Sequence, residues 1–373
     1  MEKKNKNRKK KLRVLISTAM LKKADALGDY FNGLGEQLLE RGHEVSIACN
    51  ASDFPNRPYP VYVGKDLPKL LKQKFDIILC GISAIDIYKP FLPFVKFNSS
   101  VNNGAKLILD YHGITPIKYV PRPGMKLQLI TEHFATWYLS LYAVRIIAHS
   151  QYMVDEFLSS FPLGVREKIK GKIKKFDLYI KSIYRMLDID ECKQETGIKK
   201  GVLYVGRLEK HKRVDFLIDA FAKLDYSDAK LLIVGGGSAE NEIKEKIKKD
   251  KLEGKVQLLG RLPDEKLLLY YNAVDVVATA SVHEGFCVPV IESYACGTPF
   301  VGTNISALPE TIGKFGSTFE VNDLQGLANA LKKYLDFSRD DRLAFRAEVE
   351  EYNKRFTRAA VLNSIADEIE TYS

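Results

Sequence analysis

The sequence predicts an α/β protein made of two doubly wound parallel sheets. Short apolar runs alternate with amphipathic stretches of helical period along almost the whole chain. The alternation happens twice, and it weakens only near residues 176–200. The chain has 373 residues and is 46% hydrophobic, enough to bury two cores of ordinary size.

In the first series, strands are expected near 12–17, 44–49, 76–80, 105–109 and 145–148. Their nearly continuous apolar character suits strands covered on both faces. Between the first two, Leu27, Phe31, Leu34 and Leu38 repeat at the helical period, and Gly42 closes that helix. The stretch FDLYIKSIYRMLDIDECKQETGIKKG reads as an interdomain connection. The second series places strands near 202–206, 231–235, 256–259, 274–279, 299–303 and 316–319. Val214, Leu217, Ile218 and Phe221 form one helical stripe after the first of these, and NDLQGLANALKKYL and TRAAVLNSIADEIETYS read as helices. The expected organisation is therefore a basic tail over 1–11, an N-terminal domain over 12–182 and a C-terminal domain over 183–355. A final helix, 356–373, is expected to return to the N-terminal domain.

No apolar run reaches the roughly 20 residues of a membrane span, and MEKKNKNRKKKLRV lacks the apolar middle of a secretion signal. The expectation is a cytoplasmic protein. The five cysteines form no CxxC pair and no zinc-like spacing, which fits reduced thiols and no structural metal. The formal charge of +10 is concentrated at the N-terminus, where residues 1–13 hold eight Lys or Arg against one Glu. A second basic stretch, VREKIKGKIKKFDLYIKSIYR at 165–185, interleaves lysines with apolar side chains. It reads as a solvated face, or as peripheral contact with an anionic membrane face. No nucleic-acid reading motif accompanies these charges.

In a doubly wound sheet, ligands lie beyond the carboxyl ends of the strands where strand order reverses, between strands one and four in the common order. Strand one of the second series ends in VGRLEKHKR and strand four in TASVHEGFC. Arg207 and Lys212 are thus expected to face the Glu284 loop although more than seventy positions separate them. Two cations beside a glycine-containing loop that enters a helix suit a diphosphate. Pro289 fits the helix's first turn, which places Gly285, Phe286, Cys287 and Val288 just before it with amides turned to the ligand. Glu292, one turn in, suits two neighbouring hydroxyls such as those of a ribose. The bland reading, a solvated helix end with scattered surface charges, loses ground only because these segments meet at the switch point.

These residues resemble the retaining glycosyltransferases of family 4, which have the two-domain GT-B fold. GRLEKHKRVDFLIDAFAKL, LLIVGGG, VQLLGRLPDEKLLLYYNAVDVV, HEGFCVPVIESYACGTPFVGTN and SALPETIG resemble that family's successive blocks in order. LGDYFNGLGEQLLERGHEV and LDYHGITP resemble its first glycine loop and its histidine-bearing loop. The resemblance implies two Rossmann-like domains facing each other across a cleft, with the acceptor on the N-terminal side and the donor on the C-terminal side. It implies metal-independent transfer of a hexose-type sugar from a UDP- or GDP-sugar to a glycan or lipid-linked acceptor. No cofactor is implied.

Arg207 and Lys212 resemble the diphosphate clamp, Glu284 the first glutamate of the E-x7-E motif near the sugar, and Glu292 the second, on the ribose. Gly285, Phe286, Cys287 and Val288 would offer amides to sugar and phosphate. Gly28 is similar to the glycine whose amide approaches the phosphate, His112 to the histidine near the reacting sugar, and Gly260, Arg261 and Leu262 to the base-contacting strand end. His43, His133, His149, His211 and His283 are read as structural or solvated. The family often has glycine where Cys287 stands, and a paired glycine where this chain reads LGDYF. Retention without a placed carboxylate pair points to front-face attack.

A sugar phosphorylase or nucleotide-sugar epimerase would share the fold, although an epimerase needs acid and base groups on both sugar faces. An NAD-dependent dehydrogenase is weaker, because VGGGSAE departs from GxGxxG and the next strand runs into Leu259 and Gly260 without an acidic residue. The triplet DID at 188–190 imitates a metal motif of another fold but lies in the connection, and is read as chance.

Overall fold

A computed structural model of the protein describes residues 10–373 except 23–25, 55–56, 65, 67–68, 71–72, 83–103, 115, 117–132 and 135. Most of the basic tail therefore lies outside the described residues. The chain divides into two compact units, one of Met1–His149, Met153–Phe176 and Leu362–Ser373, the other of Ser150–Tyr152 and Asp177–Val361.

In the first unit, β1 (Arg13–Ser17), β3 (Glu44–Cys49), β5 (Val61–Val63), β6 (Ile77–Ile82), β7 (Lys106–Tyr111), β8 (Arg145–Ala148) and β9 (Ile173–Lys175) form a sheet of order β5-β3-β1-β6-β7-β8-β9. Every described pairing is parallel, and strand order reverses between β1 and β6. β2 (Met20–Leu21) and β4 (Ala51–Ser52) make a separate two-stranded pair. These two, with β5 and β9, are too short to show a period in the sequence.

Helix α1 (Ala26–Glu40) buries Phe31, Leu34 and Leu38 as its stripe predicts, while Leu27 is only half-buried. Gly42, at φ 90°, turns the chain out of the helix, and His43 N–H donates to the Leu38 carbonyl. The last helix of the chain, Arg358–Glu370, is tied to this unit through ion pairs. Arg41 pairs with Asp367 at 2.7 Å and Glu370 at 3.1 Å, and Glu368 pairs with Arg145 and Lys174.

In the second unit, β10 (Lys200–Val205), β11 (Ala229–Val234), β12 (Val256–Gly260), β13 (Val276–Ala278), β14 (Phe300–Thr303) and β15 (Ser317–Phe319) adopt the order β12-β11-β10-β13-β14-β15. The pairings are parallel, and the order reverses between β10 and β13, the first and fourth strands of the series. The helix Val214–Ala222 buries Val214, Leu217, Ile218 and Phe221, as its spacing predicts.

The expected connection over 176–200 carries a helix, Ile189–Thr196. Asp188 caps it by accepting from the amides of Asp190 and Glu191, and Gly197 ends it in the left-handed conformation. The aspartates of DID are thus a helix cap and its first turn. The basic stretch 165–185 is likewise no single face. It begins in the helix Leu163–Lys170, passes through β9 and crosses from one unit to the other at Phe176–Asp177. Several of its cations already have protein partners: Arg166 on the Ser159 and Phe161 carbonyls, Lys172 on the Leu141 carbonyl, Lys174 on Glu368 and Lys181 on Asp264.

Candidate active site

The switch point of the second unit brings its loops together through the main chain. After β10, Gly206 N–H donates to Val234 and Leu208 N–H to Gly236; after β11, Gly235 N–H donates to Gly260 at the end of β12. A Cβ on Gly235 would fall 1.8 Å from the Gly206 carbonyl oxygen, and one on Gly237 would fall 2.4 Å from that of Leu208. The glycines of VGGG are there because backbones touch. Gly260 (φ 66°) and Arg261 stand exposed at this edge, with Leu262 half-buried.

The turn Lys210–Lys212 is stitched to the loop after β13 by Val282 N–H, which donates to the His211 carbonyl at 2.9 Å. Lys212 Nζ then meets Glu284 Oε1 at 2.7 Å, the encounter expected from strand order. Both side chains are mostly buried, so the pair is shielded from water. Arg207 follows Gly206 on an exposed position, and its carbonyl accepts from Tyr204 Oη. Glu284 is held from behind, its amide donating to Ser306 Oγ and its carbonyl accepting from Ala307.

The helix of HEGFCVPVIE runs over Val288–Ala295, with Cys287 as N-cap and Pro289 in the first turn. Val288 is therefore the first helical residue and does not precede the helix. No side chain caps this helix start, which leaves its positive end to an incoming anion. Cys287 takes φ 69° and ψ 72°, a left-handed conformation that disfavours any residue with a Cβ. Burial pushes its thiol well above the ordinary range.

Glu292 is 8% exposed and accepts from Tyr271 Oη at 2.8 Å. Burial pushes its carboxyl up to about 7, although the Tyr271 hydrogen bond and Lys181 pull the other way. Tyr271 packs edge-on against Tyr184, and Asp264 receives both Tyr184 Oη and Lys181 Nζ. Lys181, Tyr184, Asp264 and Tyr271 are neighbours that sequence reasoning did not assign, because 80 positions or more separate the first two from the rest.

In the first unit, Gly28 lies in the first turn of α1, where a Cβ would fall 2.4 Å from the Lys22 carbonyl oxygen. Its glycine identity has a packing cause in this structure. His112 follows the end of β7, with its amide on the Ile82 carbonyl. Its side chain is almost fully buried, stacked on His149 at 4.5 Å and edge-on to Tyr30 and Phe31.

Against the edges of both histidines sits Asp110, fully buried. Its Oδ1 lies 2.8 Å from His149 Nε2 and 3.1 Å from His112 Nε2, and its Oδ2 accepts from Tyr30 Oη. Burial alone would raise this carboxyl, but the two imidazoles hold it well below the usual carboxylate range. His149 Nδ1 also lies 3.1 Å from the Phe176 carbonyl oxygen, so both ring nitrogens have an oxygen neighbour. Asp110, His112 and His149 offer ligand atoms within 4.8 Å of one another, the group among the described residues that could hold a metal ion.

The structure thus groups Lys212 with Glu284 and places Glu292 on the following helix. Gly28 and His112 belong to the first unit, and Arg207, Lys212, Gly260–Leu262 and Gly285–Glu292 to the second.

Two Rossmann-like units, each built on a parallel sheet, the second with Lys212 and Glu284 paired at its switch point, are the architecture of the GT-B glycosyltransferase class. Residues 188–356 match the family model described as glycosyl transferases group 1. The chain is 34% identical over 321 residues to N-acetyl-alpha-D-glucosaminyl L-malate synthase of Bacillus anthracis, spanning 79% of this chain and 81% of that one. It is 35% identical over 325 residues to an uncharacterized glycosyltransferase of Methanocaldococcus jannaschii, covering 77% and 78%. Among solved structures, Anabaena HepE in complex with UDP and glucose superposes with a TM-score of 0.78 over 96% of this chain and 100% of that one, at 18% identity. The chain belongs to the group 1 glycosyltransferases.

Proposed function

We propose that the protein moves a hexose-type sugar from a UDP- or GDP-sugar to a glycan or lipid-linked acceptor, with retention at the anomeric carbon and without a metal. The observation that carries this reading is the Lys212–Glu284 pair at 2.7 Å at the switch point, beside an uncapped helix start. Lys212 and Arg207 neutralise the charge that grows on the departing diphosphate, the task a divalent ion performs elsewhere. Glu284 takes the sugar hydroxyls, Glu292 the ribose, Gly285–Val288 the sugar and phosphate, and Gly260–Leu262 the base. Gly28 and His112 serve the phosphate and reacting sugar from the first unit, His112 held by Asp110.

In the front-face step, the bond from the anomeric carbon to the diphosphate oxygen breaks as the acceptor oxygen bonds to the same carbon. The acceptor proton passes to the departing phosphate oxygen, and nucleoside diphosphate leaves. A lipid-linked acceptor would have the enzyme work as a peripheral protein at the inner membrane face. Among the described residues no helix is long and apolar enough to cross a membrane.

The test is a panel of nucleotide sugars, read by nucleoside diphosphate release and donor-induced thermal shift, with and without EDTA. Release with one UDP- or GDP-sugar, unchanged by EDTA, is expected. Loss of turnover in EDTA with rescue by a divalent ion would shift attention to Asp110, His112 and His149, and would sink the metal-free reading.

A further inference from the structure

We propose that the helical residues 136–142 of the first unit, with Phe134 just before them, are a docking face for an anionic lipid surface. Its amphipathicity is inverted. Thr136, Leu139 and Ser140 point inward, whereas Phe134, Trp137, Leu141 and Tyr142 are 65%, 36%, 41% and 46% exposed. A helix that only packed on its sheet would bury the aromatic side and present Thr and Ser to water. Here Ser140 turns its hydroxyl back onto the Thr136 carbonyl, satisfying itself inside so that the bulky side chains stay outside. Of the seven large apolar side chains recorded as exposed among the described residues, these four share one segment, and Leu163, 77% exposed, opens the next helix but one.

Charge supplies the choice of occupant. The sequence from Phe134 to Val144 contains no acidic residue. Lys172 places its ammonium 3.0 Å from the Leu141 carbonyl, and Arg145 reaches back to the Lys172 carbonyl. Lys168 and Lys170 are exposed in the helix that leads to Lys172, with Glu167 as its acidic member. An aromatic and leucine face with lysines at one end has the composition of a helix lying in a membrane interface, with cations on anionic headgroups. This deepens the reading of a lipid-linked acceptor and rests on it only for its purpose. It also moves the contact from the basic stretch 165–185 to an aromatic face that the lysines merely rim.

Trp137 is the only tryptophan of the chain, so selectively excited tryptophan fluorescence reports on this face alone. Full-length protein is titrated with vesicles of phosphatidylglycerol and phosphatidylcholine, and separately with phosphatidylcholine alone, without donor or acceptor. The expected result is a shift of emission to shorter wavelength, quenching by brominated acyl chains and co-sedimentation, all with the anionic vesicles and all weakened by salt. The double variant Phe134→Glu, Leu141→Glu, checked for native circular dichroism, should lose at least tenfold in vesicle binding while the donor-induced thermal shift persists. An unmoved emission, or full binding by the variant, would overturn the proposal. So would a shift driven by protein concentration with a doubled mass in sedimentation, which would make the occupant a second copy. Failure of the donor panel leaves these readouts untouched, so the two proposals fail separately.

Discussion

Glu292→Gln is expected to make the second unit more stable above neutral pH, and the gain should vanish in acid. The carboxyl is pushed from an ordinary 4.5 up to about 7 by burial. In the unfolded chain it loses its proton near 4.5, so between that pH and about 7 the folded state holds more protons. Stability of the native protein therefore falls as pH rises through this window and levels off beyond it. At about 1.4 kcal/mol per pH unit, the ionised carboxylate costs about 3 kcal/mol. Glutamine keeps an oxygen that can accept from Tyr271 but cannot ionise. The stability difference between variant and native protein should grow by about 2.5 kcal/mol between pH 5 and pH 8, while all other titrations cancel. Urea unfolding followed by circular dichroism at four pH values measures it. A difference that stays flat with pH would refute the buried, raised carboxyl. In native protein, affinity for the nucleotide-sugar donor should improve as pH rises through about 7, because the ionised carboxylate is the stronger acceptor for two hydroxyls.

Arg207→Ala and Lys212→Ala should chiefly lower turnover, by about 10²-fold or more each, with steady-state kinetics as the check; normal turnover in both would remove the clamp. Glu292→Ala should instead raise the donor's apparent binding constant, measured by calorimetry. Asp110→Asn strips a buried carboxylate from two imidazoles and a phenol, and should destabilise the first unit by about 3–5 kcal/mol at neutral pH. The native stabilisation is present above the ordinary carboxylate range and is lost only in strong acid, so the deficit should shrink as pH falls in denaturant titrations. Cys287→Gly relieves a left-handed Cβ worth about 1–2 kcal/mol but loses a buried side chain. The melting temperature should therefore move little while the accepted donor sugars widen, and an unchanged donor panel would free Cys287 from any role in selectivity.

Much of the fold was legible because helical stripes such as Val214, Leu217, Ile218 and Phe221 alternate with strands that have a period or none to lose. The Lys212–Glu284 meeting was legible too, since strand order carries the carboxyl ends of β10 and β13 to one point. What stayed hidden had specific causes. The helix Ile189–Thr196 buries only Ile189 and Cys192, too few for a period, although Asp188 and Gly197 were readable as its caps. VGGG resembled a nucleotide fingerprint, whereas Gly235 and Gly237 answer to neighbouring backbones. Asp110, a lone acid in ILDYH, went unassigned because its partners Tyr30 and His149 come from distant elements. Lys181, Tyr184 and Asp264 became neighbours of Glu292 only through tertiary packing.

The most direct measurement is proton NMR of the product formed from an α-linked nucleotide sugar in the presence of EDTA, reading the anomeric coupling. The account predicts an α-linked product formed at an undiminished rate. A β-linked product, or no product until a divalent ion is added, would contradict it.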